Sequence, residues 1–182
     1  MISYSSRKGM VLIAVLIFLE IFSILGLYAL QANLWENKLT QRFWVKNVMD
    51  SVAKAELVTA ENRLVQSLSN CKIQSTSASI LASQDIAWWR SVSCAGIFRM
   101  FQYYYVIEFL GNDPCAYLQG ADESSASIAG YYRITVLITS SYDPGQKVML
   151  QSSMVKPAMQ DRICNSRRHG VTQGRQMMRE LI

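Results

Sequence analysis

One continuous apolar run, RKGMVLIAVLIFLEIFSILGLYAL from Arg7 to Leu30, constrains this chain more than any other feature. From Met10 to Leu30 the only charged residue is Glu20. The run exceeds the roughly 18 apolar residues that separate a membrane-crossing helix from a buried core helix. At about 1.5 Å per residue it covers about 30 Å, one hydrocarbon thickness. Arg7 and Lys8 precede it, and the polar Gln31 and Asn33 follow. Because a positive flank stays cytoplasmic, everything after Leu30 is expected on the outer side. A secretory signal peptide also begins with positive charge, but its apolar core is about 7–15 residues long and ends at a small-residue cleavage site. Here the run is longer and leads into more helix, so the segment is expected to be kept.

The rest of the chain has room for one soluble domain. With 182 residues and 51% hydrophobic content, one membrane segment plus a single modest core is expected, and two large domains are excluded. Cys71, Cys94, Cys115 and Cys164 all lie beyond the apolar run. An even count in an oxidising compartment implies two disulfides, and no pair has the CxxC spacing of a metal or redox site. Three connectivities exist. Cys71 with Cys94 and Cys115 with Cys164 is preferred, because each bridge then ties down a segment with little else to hold it. Each closed loop would stabilise the fold by about 3–4 kcal/mol in the chain-entropy model. The single histidine argues against a multi-histidine metal centre, and neither a Gly-x-Ser-x-Gly nor a P-loop pattern is present. An enzyme is not expected, nor is a cofactor or metal; Glu108 or Asp113 could be catalytic only by assertion.

Between Gly26 and Gly96 there is neither glycine nor proline, so nothing stops the helix at the membrane surface. Val45, Met49, Val52, Ala53, Leu57, Ala60, Leu64 and Leu68 recur at steps of three and four and form one apolar stripe. Asp50, Lys54, Glu61, Asn62 and Gln66 fall mainly away from it. A helix from about Met10 to Ser69 would be about 90 Å long, a stalk with a head. Asn70 to Ser83 is rich in Ser and Thr and is expected to be a surface loop with one helical turn. Of Trp88 and Trp89, at least one is expected to pack under the head; an exposed recognition patch is the alternative.

Gln102 to Leu110, QYYYVIEFL, is a predicted strand with Tyr103, Tyr105, Ile107 and Phe109 on one face and Glu108 marking the other as the wetter. Gly111 to Ser127 is expected to be a loop turning at Asp113-Pro114. Tyr131 to Ile138 and Lys147 to Val155, joined by SSYDPG, are predicted as an antiparallel hairpin, with Tyr132, Ile134, Val136 and Ile138 facing the core. The expected fold class is α+β, a long helix packed on a small antiparallel sheet of three to four strands.

The amino terminus resembles the class III signal of type IV pilins: a short polar leader, MISYSSRKG, closing on a basic pair and a glycine directly before the apolar run. In that family a prepilin peptidase cuts after the glycine on the cytoplasmic face and methylates the new amine. The resemblance implies that Gly9 is the last leader residue and Met10 the first mature one. Cleavage would remove Arg7 and Lys8 and lower the formal charge from +5 to +3. Met10 stands where the family usually has Phe, and Ala14 where it usually has Glu; the missing carboxylate resembles minor members at the fibre tip. The order of long helix, variable loop, antiparallel strands and disulfide-tied end also resembles the pilin fold. Tyr105 to Glu108 with Leu110-Gly111, Tyr132 to Thr135, and Val148 to Ser152 resemble the PilX-type assembly subgroup. The tip pseudopilin of type II secretion likewise lacks the early Glu, but usually carries a large inserted domain absent here.

The resemblance implies residues 1-9 as a cleaved leader, 10-30 as the transmembrane half of the helix and 31-69 as its periplasmic half. Residues 70-161 would be the globular head and 162-182 a basic carboxy-terminal segment. It implies a minor pilin in the inner membrane with its head in the periplasm, which later enters a surface fibre serving adhesion and twitching motility. Its partners would be prepilin peptidase, other minor pilins, the major pilin and a tip adhesin; a type II secretion pseudopilin is the alternative. Near the midplane, Glu20 carries a penalty of about 2.5–3.5 kcal/mol on translocon scales. It either pairs with a polar or cationic group on a neighbouring pilin, or stays protonated or locally hydrated without a specific partner. Arg162, Arg167, Arg168, His169, Arg175 and Arg179 concentrate positive charge near the end, opposed by Asp161 and Glu180. Such a run is a solvated surface, or a docking site, with Arg167, Arg168 and Arg175 foremost, for an acidic pilin patch, an adhesin or DNA phosphate in uptake. A mobile tail ending in a short helix from Arg175 is expected there.

Overall fold

The computed structural model describes residues 8–66, 71–119, 128–141, 143, 145–158, 164–165 and 167–182. It is a mixed α+β protein that divides into two compact units, Met1–Val45 and Lys46–Ile182. One helix, α1 (Lys8–Val65), contributes to both. Its 58 residues contain no proline, and the helix runs without a break through Gly26.

In the first unit every residue from Val11 to Leu30 is exposed, as are Leu34, Trp35, Leu39, Phe43 and Trp44. Among the described residues α1 is the one helix long and apolar enough to cross a membrane. In the second unit α1 changes character. Met49, Val52, Ala53, Leu57, Ala60 and Leu64 are buried at the predicted three- and four-residue spacing. Val45 is only half-buried, and Leu68 lies outside the described residues. On the outer face Lys54 and Asp50 pair at 2.6 Å, one turn apart.

After α1 come β1 (Lys72–Ile73), α2 (Ala78–Ser83), α3 (Ile86–Val92), β2 (Cys94–Phe98), β3 (Phe101–Leu118), β4 (Ile128–Ser140), β5 (Lys147–Ala158), β6 (His169–Val171) and β7 (Gly174–Glu180). Both short helices start on a side-chain cap: Ser77 Oγ accepts from Ile80 N, and Asp85 Oδ1 from Trp88 N. The described sheet has seven strands in the order β1-β3-β4-β5-β7, with β2 and β6 also on β3. It corrects the expectation of three to four antiparallel strands, because β1 and β6 run parallel to β3. β3 is long enough for three short strands to share one edge: β2 along Phe101–Tyr105, β1 at Ile107 and Glu108, and β6 at Ala116–Leu118.

Three further expectations change. Gly111 to Leu118 is strand and not loop, because two register shifts, after Phe109 and after Asp113, absorb Leu110 and Pro114 to Ala116 while β3 stays paired with β4; residues 120–127 of the expected loop lie outside the described residues. Where a helix was expected, Arg175 to Glu180 is part of β7, which pairs with β5. Most of these residues are good helix formers, but the open edge of β5 offers ladder bonds that an isolated turn of helix could not match. Finally, the face marked by Glu108 is covered. Leu81 of α2 and Trp89 of α3 form a core there with Tyr104, Val106, Leu137 and Met149. The α1 stripe serves the other face, where Ile107, Ile134, Val136 and Ile138 are buried.

Cys71 pairs with Cys94 and Cys115 with Cys164, at Cα separations of 5.4 and 4.9 Å. The first bridge brackets β1, α2 and α3; the second fastens the stretch before β6 to β3. Trp89 is fully buried and Trp88 packs partly against the same cluster. Trp89→Ala is therefore expected to cost about 3–5 kcal/mol and Trp88→Ala clearly less, measured by chemical denaturation followed in the far-ultraviolet.

Candidate functional site

Gly9 and Met10 fall in the first turns of α1. Glu20 lies within the exposed apolar run. Among the described residues no side chain of this chain pairs with it. Nothing among the described residues covers the apolar run as a whole, which is compatible with membrane anchoring.

Charged side chains in the second unit are used differently. Arg175 on β7 grips Glu61 of α1 through both arms, Nε to Oε1 at 2.8 Å and Nη2 to Oε2 at 2.6 Å. This corrects the expectation that Glu61 lies away from the packed face, for it is only 7% exposed. Nε and Nη2 of Arg175 are thus engaged within the domain, while the side chain remains 35% exposed. The hydrogen bonds Arg175 donates to Glu61 raise its own pKa further. The arginine therefore stays charged across all ordinary pH. Lys46 and Glu180 add an exposed pair at 3.2 Å. Arg179 donates Nε and Nη2 to Gln151 Oε1, whose own amide donates to Thr135 Oγ1 at 3.0 Å.

The second clamp is deeper. Glu108 is 0% exposed. It sits opposite Arg133 in the β3–β4 register, and Arg133 donates Nε to Oε2 and Nη2 to Oε1, each at 2.7 Å. Thr76 N donates to Oε1 at 2.8 Å, and Arg133 Nη2 also reaches Thr76 O. The loop before α2 is thus pinned to the sheet centre. Glu108 raises the Arg133 pKa by hydrogen bonding. With both oxygens engaged and no solvent access, this carboxylate is a structural anchor. Asp113 is likewise committed: Oδ1 accepts from Cys115 N at 2.8 Å, and Oδ2 lies 3.5 Å from His169 Nε2.

On α1, Arg63 Nη1 donates to Tyr105 Oη at 2.9 Å, and Lys156 Nζ on β5 donates to Leu64 O at 3.1 Å. The Leu64 carbonyl in the last turn of α1 is thereby capped by a cation, which also suits the helix dipole. Burial raises the Glu56 pKa, with Arg63 opposing it. Arg167 and Arg168 are exposed beside β6; Arg162 and Asp161 lie outside the described residues.

The sequence reading missed both clamps. Their signal was available in part: Glu108 and Arg133 are opposite charges in the middle of otherwise apolar strands, and such a pair must meet if the strands are neighbours. No protein-family model, curated protein or solved structure matches this chain. Removing one partner leaves the other charge partly buried and unpaired, so Glu61→Ala is expected to lower stability by about 1–3 kcal/mol. Arg175→Ala on that background should add little, as a double-mutant cycle of denaturation midpoints would read.

Proposed function

We propose that this chain is a minor pilin of a type IV pilus, of the PilX-type subgroup, which primes fibre assembly and remains at or near the tip. One observation carries the reading. A single unbroken helix starts with an uncovered apolar run of bilayer length, preceded by Arg-Lys-Gly, and ends as core of a disulfide-tied α+β domain. The apolar helix is compatible with membrane anchoring, and disulfides fit a periplasmic or extracellular domain. On the proposal the anchor is in the inner membrane and the domain in the periplasm until the subunit joins a fibre.

The function needs no catalytic group. Prepilin peptidase cuts after Gly9, removes two positive charges from the cytoplasmic flank and leaves a methylated amine on Met10. The helix can then leave the bilayer once its apolar surface finds equivalent cover, which the helices of other minor pilins and the major pilin supply. Lipid is exchanged for protein, so the hydrophobic term nearly cancels and small specific terms decide. Glu20 supplies one, by pairing with a polar or cationic group of a neighbouring pilin. In the low-dielectric lattice that pairing recovers part of the about 2.5–3.5 kcal/mol that the carboxyl costs in lipid.

The test replaces the chain in its own cells by a Gly9→Leu variant. The variant is expected to stay in the membrane at precursor length, with far fewer surface fibres. Normal shortening and a normal number of fibres would contradict the proposal.

A further inference from the structure

The stretch of α1 just past the apolar run is sided in a way that neither the fold nor the assembly reading uses. Tyr28, Trp35, Leu39 and Arg42 follow one another at steps of seven, four and three, so they share a face, with Lys38 at its border. All are exposed, Trp35 at 68%. The Lys38 ammonium sits over the Trp35 ring, 5.6 Å from its centre. The opposite face carries Asn33, Asn37 and Thr40 in the same interval, and Trp44 only further along.

Depth gives this face its meaning. If the hydrocarbon ends near Leu30, Trp35 stands about 7 Å beyond it and Lys38 about 12 Å, measured along the axis. The headgroup layer is about 5–7 Å thick. Helical side chains lean toward the amino terminus, so long cations placed after a span point back to the membrane they have just left. A tilted helix also lowers one face toward the headgroups, and interfacial Trp, Tyr, Lys and Arg decide which face that is. A partner suited to this face offers an apolar layer for the rings with anionic oxygens directly above it.

We propose that Tyr28, Trp35, Lys38 and Arg42 form an interfacial anchor that binds the phosphates of anionic phospholipid and sets the direction in which the helix tilts before assembly. This rests on the membrane-spanning reading of Met10 to Leu30. Tyr28 occupies the boundary between chains and headgroups, Trp35 leans back into the headgroup layer and Lys38 holds the phosphates, with Arg42, about 18 Å past Leu30, reaching them as the tilt lowers its face. Extraction into a fibre then requires releasing these lipids as well as the apolar run.

The test uses the full chain in phosphatidylcholine vesicles holding a fixed fraction of brominated phosphatidylglycerol, or the same fraction of brominated phosphatidylcholine. The quenching that disappears on Trp35→Phe isolates the contribution of Trp35 and leaves the buried Trp89 untouched. Brominated phosphatidylglycerol is expected to quench Trp35 more strongly, with the preference falling about fivefold for each cation removed in Lys38→Gln and Arg42→Gln. Asn33→Trp on the Trp35→Phe background should show no such preference. Equal quenching of Trp35 by the two lipids, or an equal preference at position 33, would overturn the anchor. Phe18→Trp separates the two readings: quenched by bromines deep in the chains, it leaves the span standing whatever Trp35 does, and unquenched it removes the span and the anchor together.

Discussion

Everything in this molecule depends on one helix being uninterrupted. From Gly26 to Gly96 the sequence holds no residue that would break a helix cheaply, so the apolar run and the stripe that builds the core belong to the same element. The two parts meet the solvent question differently. Between Met49 and Leu64 the chain supplies its own cover, a sheet whose residues at Ile107, Ile134, Val136 and Ile138 are buried. Between Val11 and Leu30 no described residue covers it.

The charged pairs follow from that arrangement. A helix packed on a sheet by apolar contact alone has many nearly equivalent positions, since such contact is non-directional. Glu61 with Arg175 fixes α1 against the edge strand, and Lys156 on the Leu64 carbonyl fixes its end. Glu108 with Arg133 and Thr76 does the same for the layer on the other face. Bidentate geometry makes each contact directional, so these pairs select one packing. On the proposed assembly reading, a subunit that trades lipid for neighbouring helices gains from a domain that keeps its shape throughout the exchange.

Local pattern made much of this legible before the fold was seen. The stripe on α1, the β4–β5 hairpin and the burial of a tryptophan all rest on periodicity or composition within one segment, and the structure has them. The cysteine pairing was reached by asking which segments lacked other support, and the structure has the same two bridges. What escaped was non-local. Glu108 looked like the mark of a wet face because alternation cannot show that Arg133 lies opposite or that α2 and α3 close over the pair. Asp113-Pro114 looked like a turn because register shifts that keep a proline inside a strand depend on the partner strand. Arg175 looked like a free cation in a helix-prone tail, since neither the open edge of β5 nor Glu61 is visible from its neighbours in sequence. The candidate sites in the first unit, Gly9, Met10 and Glu20, rest on sequence chemistry alone.

The central claim is that a short leader is removed while the apolar helix is retained. The most direct measurement is the mass of the amino-terminal peptide of the protein recovered from its own cells. The account predicts that Met10 is the first residue and that its amine carries a methyl group. An intact Met1, or a first residue beyond Leu30, would contradict it.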